Sequence, residues 1–212
     1  MRMKKSLSII LSVFFLCLAL ISCGSNKNTN NETTENEENA TEGLLYTLLD
    51  DGTYEVSGIG DAYGADTVIV PSTYNDKKVT KIGNDAFYYY TILHKILLPD
   101  TITEIGYGAF AYCKSLYSIN LPNSITKIGN GAFFGCHSLE RIVIPSSVNV
   151  IGEGLFHQPM PEFKIFCESS SQPNSWDPDW NSSFPVYWYS ENEPSVDGNY
   201  WCYLDGEIAI WE

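Results

Sequence analysis

The chain has 212 residues, 44% of them hydrophobic, and a formal net charge of −14. That length is enough for one domain with a buried core, and the charge argues against nucleic acid as a partner because the phosphate backbone would be repelled. The six cysteines form no Cys-x-x-Cys pair, which argues against a zinc or redox motif of that kind.

Residues 1–22 have the pattern of a secretory signal peptide. A basic start precedes an apolar run from Leu7 to Leu20, which is too short to cross a hydrocarbon core of about 30 Å. The tetrapeptide LISC at 20–23 resembles the lipobox of bacterial lipoproteins. That resemblance implies that Cys23 is lipidated and becomes the first mature residue; the alternative is ordinary cleavage near Ser22 with a free thiol.

Residues 23–43 are predicted to form a disordered tether that starts at the lipidated Cys23. Asn, Thr and Glu dominate this segment, so it cannot bury apolar surface. Loss of three basic residues with the signal peptide would change the formal charge from −14 to −17. Residues 44–64 follow as an N-terminal cap, in which Asp51-Gly52 separates two β-rich runs and predicts a hairpin.

Residues 65–168 carry a 23-residue repeat. The phrases IGNDAF, IGYGAF, IGNGAF and IGEGLF begin at Ile82, Ile105, Ile128 and Ile151. Each coil also has a short alternating run ending before proline, which predicts a strand with one buried face. A single coil cannot bury its own phenylalanine, whereas stacked coils can. Lys81, Glu104 and Lys127 share one column and are expected to pair across coils.

The consensus LxxIxLPxxIxxIGxxAFxxCxx resembles the 23-residue leucine-rich repeat of the BspA-like, or Treponema pallidum, class. The resemblance implies a curved solenoid, mostly β with short turns or helical segments, whose LxxIxLP strands form one parallel sheet. It also implies a surface-exposed, adhesion-type bacterial protein, and it does not imply an enzyme. Tyr90 and Pro159 stand where the family has cysteine, and Leu155 stands where it has alanine.

Residues 169–212 break the period and contain all five tryptophans, with no Lys or Arg. Three β-rich runs separated by turn signals predict a β-meander that caps the open end of the solenoid. Glycan binding through exposed aromatic residues of this segment is a less favoured alternative. Asp177-x-Asp179-x-Asn181 copies the start of a calcium loop, but Ser182 and Trp188 occupy positions where that loop requires Gly and Glu.

The sequence predicts no enzyme, no cofactor and no metal site. Cys136 and His137 are adjacent, yet no third group is evident that would orient them as a nucleophile and base. The three histidines are scattered. Cys113 and Cys136 lie one coil apart, a distance compatible with a disulfide, although buried free thiols fit the same column.

The expected role is that of a protein-binding lipoprotein of the cell envelope, held at the membrane by its lipid. The partner would be a host, matrix or envelope protein; an architectural or accessory envelope role is the alternative. The candidate binding face consists of strand residues that point away from the core. These are Lys95, Leu97, Ser118, Asn120, Arg141, Val143, Lys164 and Phe166.

Overall fold

The computed structural model of the protein describes residues 4–5, 39–157 and 162–211. The predicted lipidation site at Cys23 and most of the predicted signal peptide and tether lie outside the described residues. Within the described part, no helix is long and apolar enough to span a bilayer.

The chain forms a β-solenoid whose coils have three sides. The first side carries the strands that precede proline and continues into the C-terminal segment. Its strands are β4 (Thr67–Ile69), β7 (Lys95–Leu97), β9 (Ser118–Asn120), β12 (Arg141–Ile144), β15 (Lys164–Cys167), β16 (Val186–Tyr189), β17 (Tyr200–Leu204), β18 (Glu207–Ile210) and, against β18, β1 (Lys4–Lys5).

The second side is a sheet built from the strands that lead into each Ile-Gly pair and from the N-terminal hairpin. It comprises β2 (Leu45–Leu48), β3 (Tyr54–Gly58), β6 (Lys77–Ile82), β8 (Glu104–Ile105), β10 (Lys127–Ile128) and β13 (Val150–Ile151), with β5 (Thr73–Tyr74) paired to β6. The third side contains β11 (Phe133–Phe134) and β14 (Phe156–His157). A single 3₁₀ turn, Gly60–Ala62, is the only helical element of the described residues.

The phenylalanine column forms the centre of the core. Phe87, Phe110, Phe133 and Phe156 are all buried, and their rings stack at centroid distances of 5.4, 5.5 and 6.0 Å. The isoleucines that open each phrase are buried beside them. Each coil therefore relies on its neighbours to cover its large side chains, as the 23-residue period predicts.

The glycine after each isoleucine allows the coils to approach closely. A Cβ at Gly129 would lie 2.6 Å from the backbone nitrogen of Tyr107 in the preceding coil. Backbone atoms cannot move away cheaply, so any larger residue would push the coils apart.

The predicted charge column is also present: Glu104 lies 3.5 Å from the Lys81 ammonium and 3.0 Å from that of Lys127.

The N-terminal cap is a hairpin, as the Asp51-Gly52 signal predicts. Strands β2 and β3 are antiparallel, and β3 joins the solenoid by pairing in parallel with β6. Tyr90, which stands in a cysteine column, secures the segment that follows the hairpin. Its hydroxyl accepts a hydrogen bond from the Gly64 N–H at 2.7 Å and donates one to the Ala65 carbonyl at 2.8 Å.

The prediction of a C-terminal β-meander is wrong for one of its two connections, because β16 and β17 are parallel. Strand β16 pairs in parallel with β15, and β17 pairs in parallel with β16, so both extend the solenoid sheet. Only β17 and β18 are antiparallel, joined by the two-residue turn Asp205-Gly206 with both φ angles positive. The long connection between β16 and β17 lets the chain return to the same end of the sheet, which a tight hairpin turn cannot do.

Candidate protein-binding face

The outward side chains of the first sheet are aligned by its parallel register. Lys95 lies beside Ser118, and Leu97 lies beside Asn120. Further along, Arg141 lies beside Lys164. The expectation of one continuous sheet is wrong in detail, because the described residues form two ladders, which end at β9 and β12. These two strands nevertheless remain neighbours in space, so the face continues across the break.

Three cations lie along this face and have no described counterion. Arg141 is exposed, while Lys95 and Lys164 are half-buried. Among residues 39–157 and 162–211, no carboxylate forms an ion pair with any of the three. Arg141 and Lys164 are direct neighbours on adjacent strands, and like charges in that arrangement repel one another. The row is therefore a local concentration of positive charge on an acidic protein.

Phe166 does not belong to the exposed face, contrary to the prediction. Its side chain is 3% exposed. The Trp201 ring packs edge-on against it at 5.5 Å, and Tyr187 lies beside it at 5.2 Å. The C-terminal strands therefore cover the end of the face. The remaining candidates, Lys95, Leu97, Ser118, Asn120, Arg141, Val143 and Lys164, are exposed or half-buried.

The C-terminal tryptophans serve the core instead of forming an aromatic platform. Trp176 and Trp180 are buried and pack edge-on at 4.9 Å, directly after the last phenylalanine of the stack. The Trp176 indole N–H donates to the Val148 carbonyl at 3.2 Å. Trp188 is half-buried against Trp176. The predicted capping is present, and glycan binding through these rings loses its basis because two of them are inaccessible.

The Asp177 side chain stabilises a turn. Its carboxylate accepts a hydrogen bond from the Asp179 N–H at 2.8 Å, which is the geometry of an Asx turn. The Asn181 side-chain amide donates a hydrogen bond to the Phe184 carbonyl at 2.9 Å. No cluster of three His, Cys, Asp or Glu suited to a metal ion occurs in the part of the chain that the structure describes.

The cysteines of the repeat are free and buried. The Cys113 thiol donates to the Phe87 carbonyl at 3.1 Å, and the Cys136 thiol donates to the Phe110 carbonyl at 3.2 Å. Burial raises the pKa of Cys113 to about 12 and also raises that of Cys136. Because the thiolate is the nucleophilic form, both side chains are suited to packing and not to chemistry.

Comparison with known proteins agrees with this architecture. A family model described as BspA type leucine rich repeat region matches residues 66–171 in six copies. The chain belongs to the BspA-type leucine-rich-repeat family. Repeats of this kind generally form protein-interaction modules on a non-enzymatic scaffold. The sequence analysis identified four IGxxAF-type phrases, whereas the family model counts six copies.

Two solved structures illustrate the similarity. A leucine-rich repeat protein from Bacteroides capillosus is 26% identical, with a TM-score of 0.51 over 58% of this chain and 94% of that chain. The leucine rich repeat protein of T. pallidum is 27% identical, with a TM-score of 0.46 over 58% of this chain and 68% of that chain. No curated protein matches this chain.

Proposed function

We propose that this protein is a lipid-anchored, surface-exposed bacterial lipoprotein that binds an acidic protein partner, in an adhesion-type role, through the face of β7, β9, β12 and β15. The observation that carries the proposal is the row of Lys95, Arg141 and Lys164, which lacks described counterions. Arg141 and Lys164 repel one another across adjacent strands, and an acidic partner would relieve that repulsion.

The size and composition of the face support a modest protein contact. Its strands lie about 4.8 Å apart, so Lys95 and Lys164 are separated by three strand spacings. Leu97 and Val143 supply half-buried aliphatic surface beside the cations. Arginine is enriched among the residues that dominate binding energy at interfaces, which makes Arg141 the expected centre of the contact.

The proposal predicts that charge reversal on the face weakens binding. The full-length protein would be used to capture partners from acidic envelope and host matrix fractions, and the affinity for a captured partner would then be measured. Arg141→Glu combined with Lys95→Glu should weaken that affinity at least tenfold, or about 1.4 kcal/mol. The effect should shrink at high salt because exposed charges are screened.

A charge-matched control separates a local effect from a change in net charge. Lys77 and Lys78 are exposed on β6, away from the face, and Lys77→Glu with Lys78→Glu alters the net charge equally. This control should retain the wild-type affinity. Equal affinities for both double variants and the wild type, each with an unchanged melting temperature, would remove the face from the interaction.

The lipid anchor has its own test. Cys23→Ala should abolish incorporation of labelled fatty acid and leave an uncleaved precursor, because the modified sulfur is absent. The measurement compares the label on immunoprecipitated wild-type and variant protein. Equal labelling of the two proteins would show that Cys23 is not the lipidated residue, without bearing on the strand face.

A further inference from the structure

A strip of aromatic side chains crosses four coils on the third side of the solenoid. We define this tyrosine strip as Tyr88, Tyr89, Tyr112, Phe134 and His157. Tyr112 lies 5.7 Å from Tyr88 and 5.4 Å from Phe134, and the Phe134 ring stacks on His157 at 4.4 Å. Tyr88 and Tyr89 are 53% and 58% exposed. The strip is thus a continuous aromatic surface in contact with solvent.

The backbone under the strip is held in a conformation that suits glycine. Tyr89 has a φ of 60° and Tyr112 has a φ of 61°. Gly135 occupies the same column in the next coil, with a φ of 71°. A bulky residue with positive φ is a rare and strained choice. Core packing does not explain the positive φ at Tyr89, because more than half of that side chain is exposed. Strained positions of this kind cluster at functional sites.

The strip is fixed in place before any ligand arrives. The Tyr89 N–H donates to the Ala111 carbonyl at 2.8 Å, and the Tyr112 N–H donates to the Phe134 carbonyl at 2.7 Å. Gly135 leaves room for the Tyr112 ring, since a Cβ there would lie 2.9 Å from Tyr112 Cδ1. A preorganised surface loses little conformational entropy on binding, and tyrosine supplies a large, rigid contact area.

We propose that the tyrosine strip binds a neutral, β-linked oligosaccharide, with sugar rings resting against Tyr88, Tyr89 and Tyr112. The apolar C–H face of a pyranose ring fits an aromatic ring, and tyrosine hydroxyls both donate and accept hydrogen bonds, as sugar hydroxyls do. The ring centroids of Tyr88 and Tyr89 lie 5.7 and 6.0 Å from that of Tyr112, which is on the scale of one sugar unit in an extended β-linked chain.

Charge favours a neutral ligand over an ionic one. In the described part of the chain, Lys114 is the only cation placed over a ring of the strip, 5.6 Å from the centroid of Tyr89. A polyanionic glycan would meet the field of a chain with a formal charge of −14. A neutral polyol pays no such electrostatic cost, because it carries no net charge.

The backbone argues against an extended peptide as the occupant. A peptide that adds to a sheet needs free N–H and C=O groups along an edge. At this side of the coils, the Phe87, Tyr89, Phe110 and Tyr112 N–H groups already donate to the next coil. Ring faces and hydroxyls are what the strip still offers, and these match a sugar better than a main chain.

The test is calorimetric titration of the full-length protein with three neutral ligands, cellohexaose, fully N-acetylated chitohexaose and laminarihexaose. The wild type should bind at least one of the three, and Tyr89→Gly with Tyr112→Gly should weaken that binding at least tenfold. Because glycine suits a positive φ, the double variant should melt within about 2 °C of the wild type. Tyr117→Ala, which removes an exposed tyrosine outside the strip, should bind as the wild type does.

Three results would overturn the proposal. One is absence of heat from all three hexasaccharides at about 1 mM ligand. Another is a double glycine variant that binds normally but melts well below the wild type, which would make the strip a packing feature. The third is strip-dependent capture of a protein that persists after its glycans are removed, which would assign the surface to a polypeptide. None of these results bears on the Arg141 and Lys95 charge reversal.

Discussion

Replacing Phe110 by alanine is expected to lower the free energy of unfolding by about 3–5 kcal/mol. The side chain is fully buried, and its ring lies between Phe87 at 5.4 Å and Phe133 at 5.5 Å. Alanine leaves a cavity in the middle of the stack, and neither neighbour can fill it without moving its whole coil. Such a loss is a large share of the total stability of a small domain. Urea denaturation followed by tryptophan fluorescence measures it.

The same coil offers a matched control. Tyr107 is 59% exposed and lies outside the core cluster, so Tyr107→Ala should change stability by less than about 0.5 kcal/mol. Phe133→Ala should resemble Phe110→Ala, because Phe133 is also flanked by phenylalanines on both sides. A cost below about 1 kcal/mol for Phe110→Ala would show that the phenylalanine column does not hold the solenoid together.

The core columns were predictable because residues one repeat apart in the sequence are neighbours in space. In a solenoid, the neighbour of a residue is its equivalent one period later. Phe87, Phe110, Phe133 and Phe156 recur at that period, so their stacking follows from spacing alone. Glu104 pairs with Lys81 and Lys127 for the same reason. No side chain outside the repeat is needed to place any of them.

The burial of Phe166 was not predictable from the repeat. Alternation along a strand places this side chain on the outer face, and its backbone does lie beside Val143 as expected. The cover comes from Trp201, which belongs to a segment without the period. The same limit applies to β16 and β17, because turn signals locate strands without fixing whether they pair in parallel.

The tyrosine strip was not predicted from the sequence because its residues belong to two columns of the repeat. Tyr88 and Phe134 share one column, in which Ala111 intervenes, and Tyr89 and Tyr112 share the next. Comparing equivalent positions therefore shows Tyr89 and Tyr112 as a pair but does not show the whole strip. Gly135 in the column of Tyr89 and Tyr112 is the available signal, since it marks a position that favours positive φ.

Trp201→Ala is expected to lower the free energy of unfolding by about 3–5 kcal/mol and to expose the end of the strand face. The indole is fully buried between Phe166 and Tyr203, at ring distances of 5.5 and 4.9 Å. Its N–H donates to the Cys167 carbonyl at 2.9 Å, so the variant loses packing and leaves a buried acceptor unpaired. Urea denaturation gives the cost, and hydrogen exchange at residues 164–167 reports the exposure.

Trp201→Phe separates the two contributions. Phenylalanine keeps most of the ring that covers Phe166 but cannot donate to Cys167, so this variant should lose only about 1–2 kcal/mol, the cost of an unsatisfied buried carbonyl. Exchange at residues 164–167 should stay slow in Trp201→Phe and become fast in Trp201→Ala. If both variants lost the same stability and exchanged alike, the hydrogen bond alone would account for Trp201, and Phe166 would have to be covered by Tyr187.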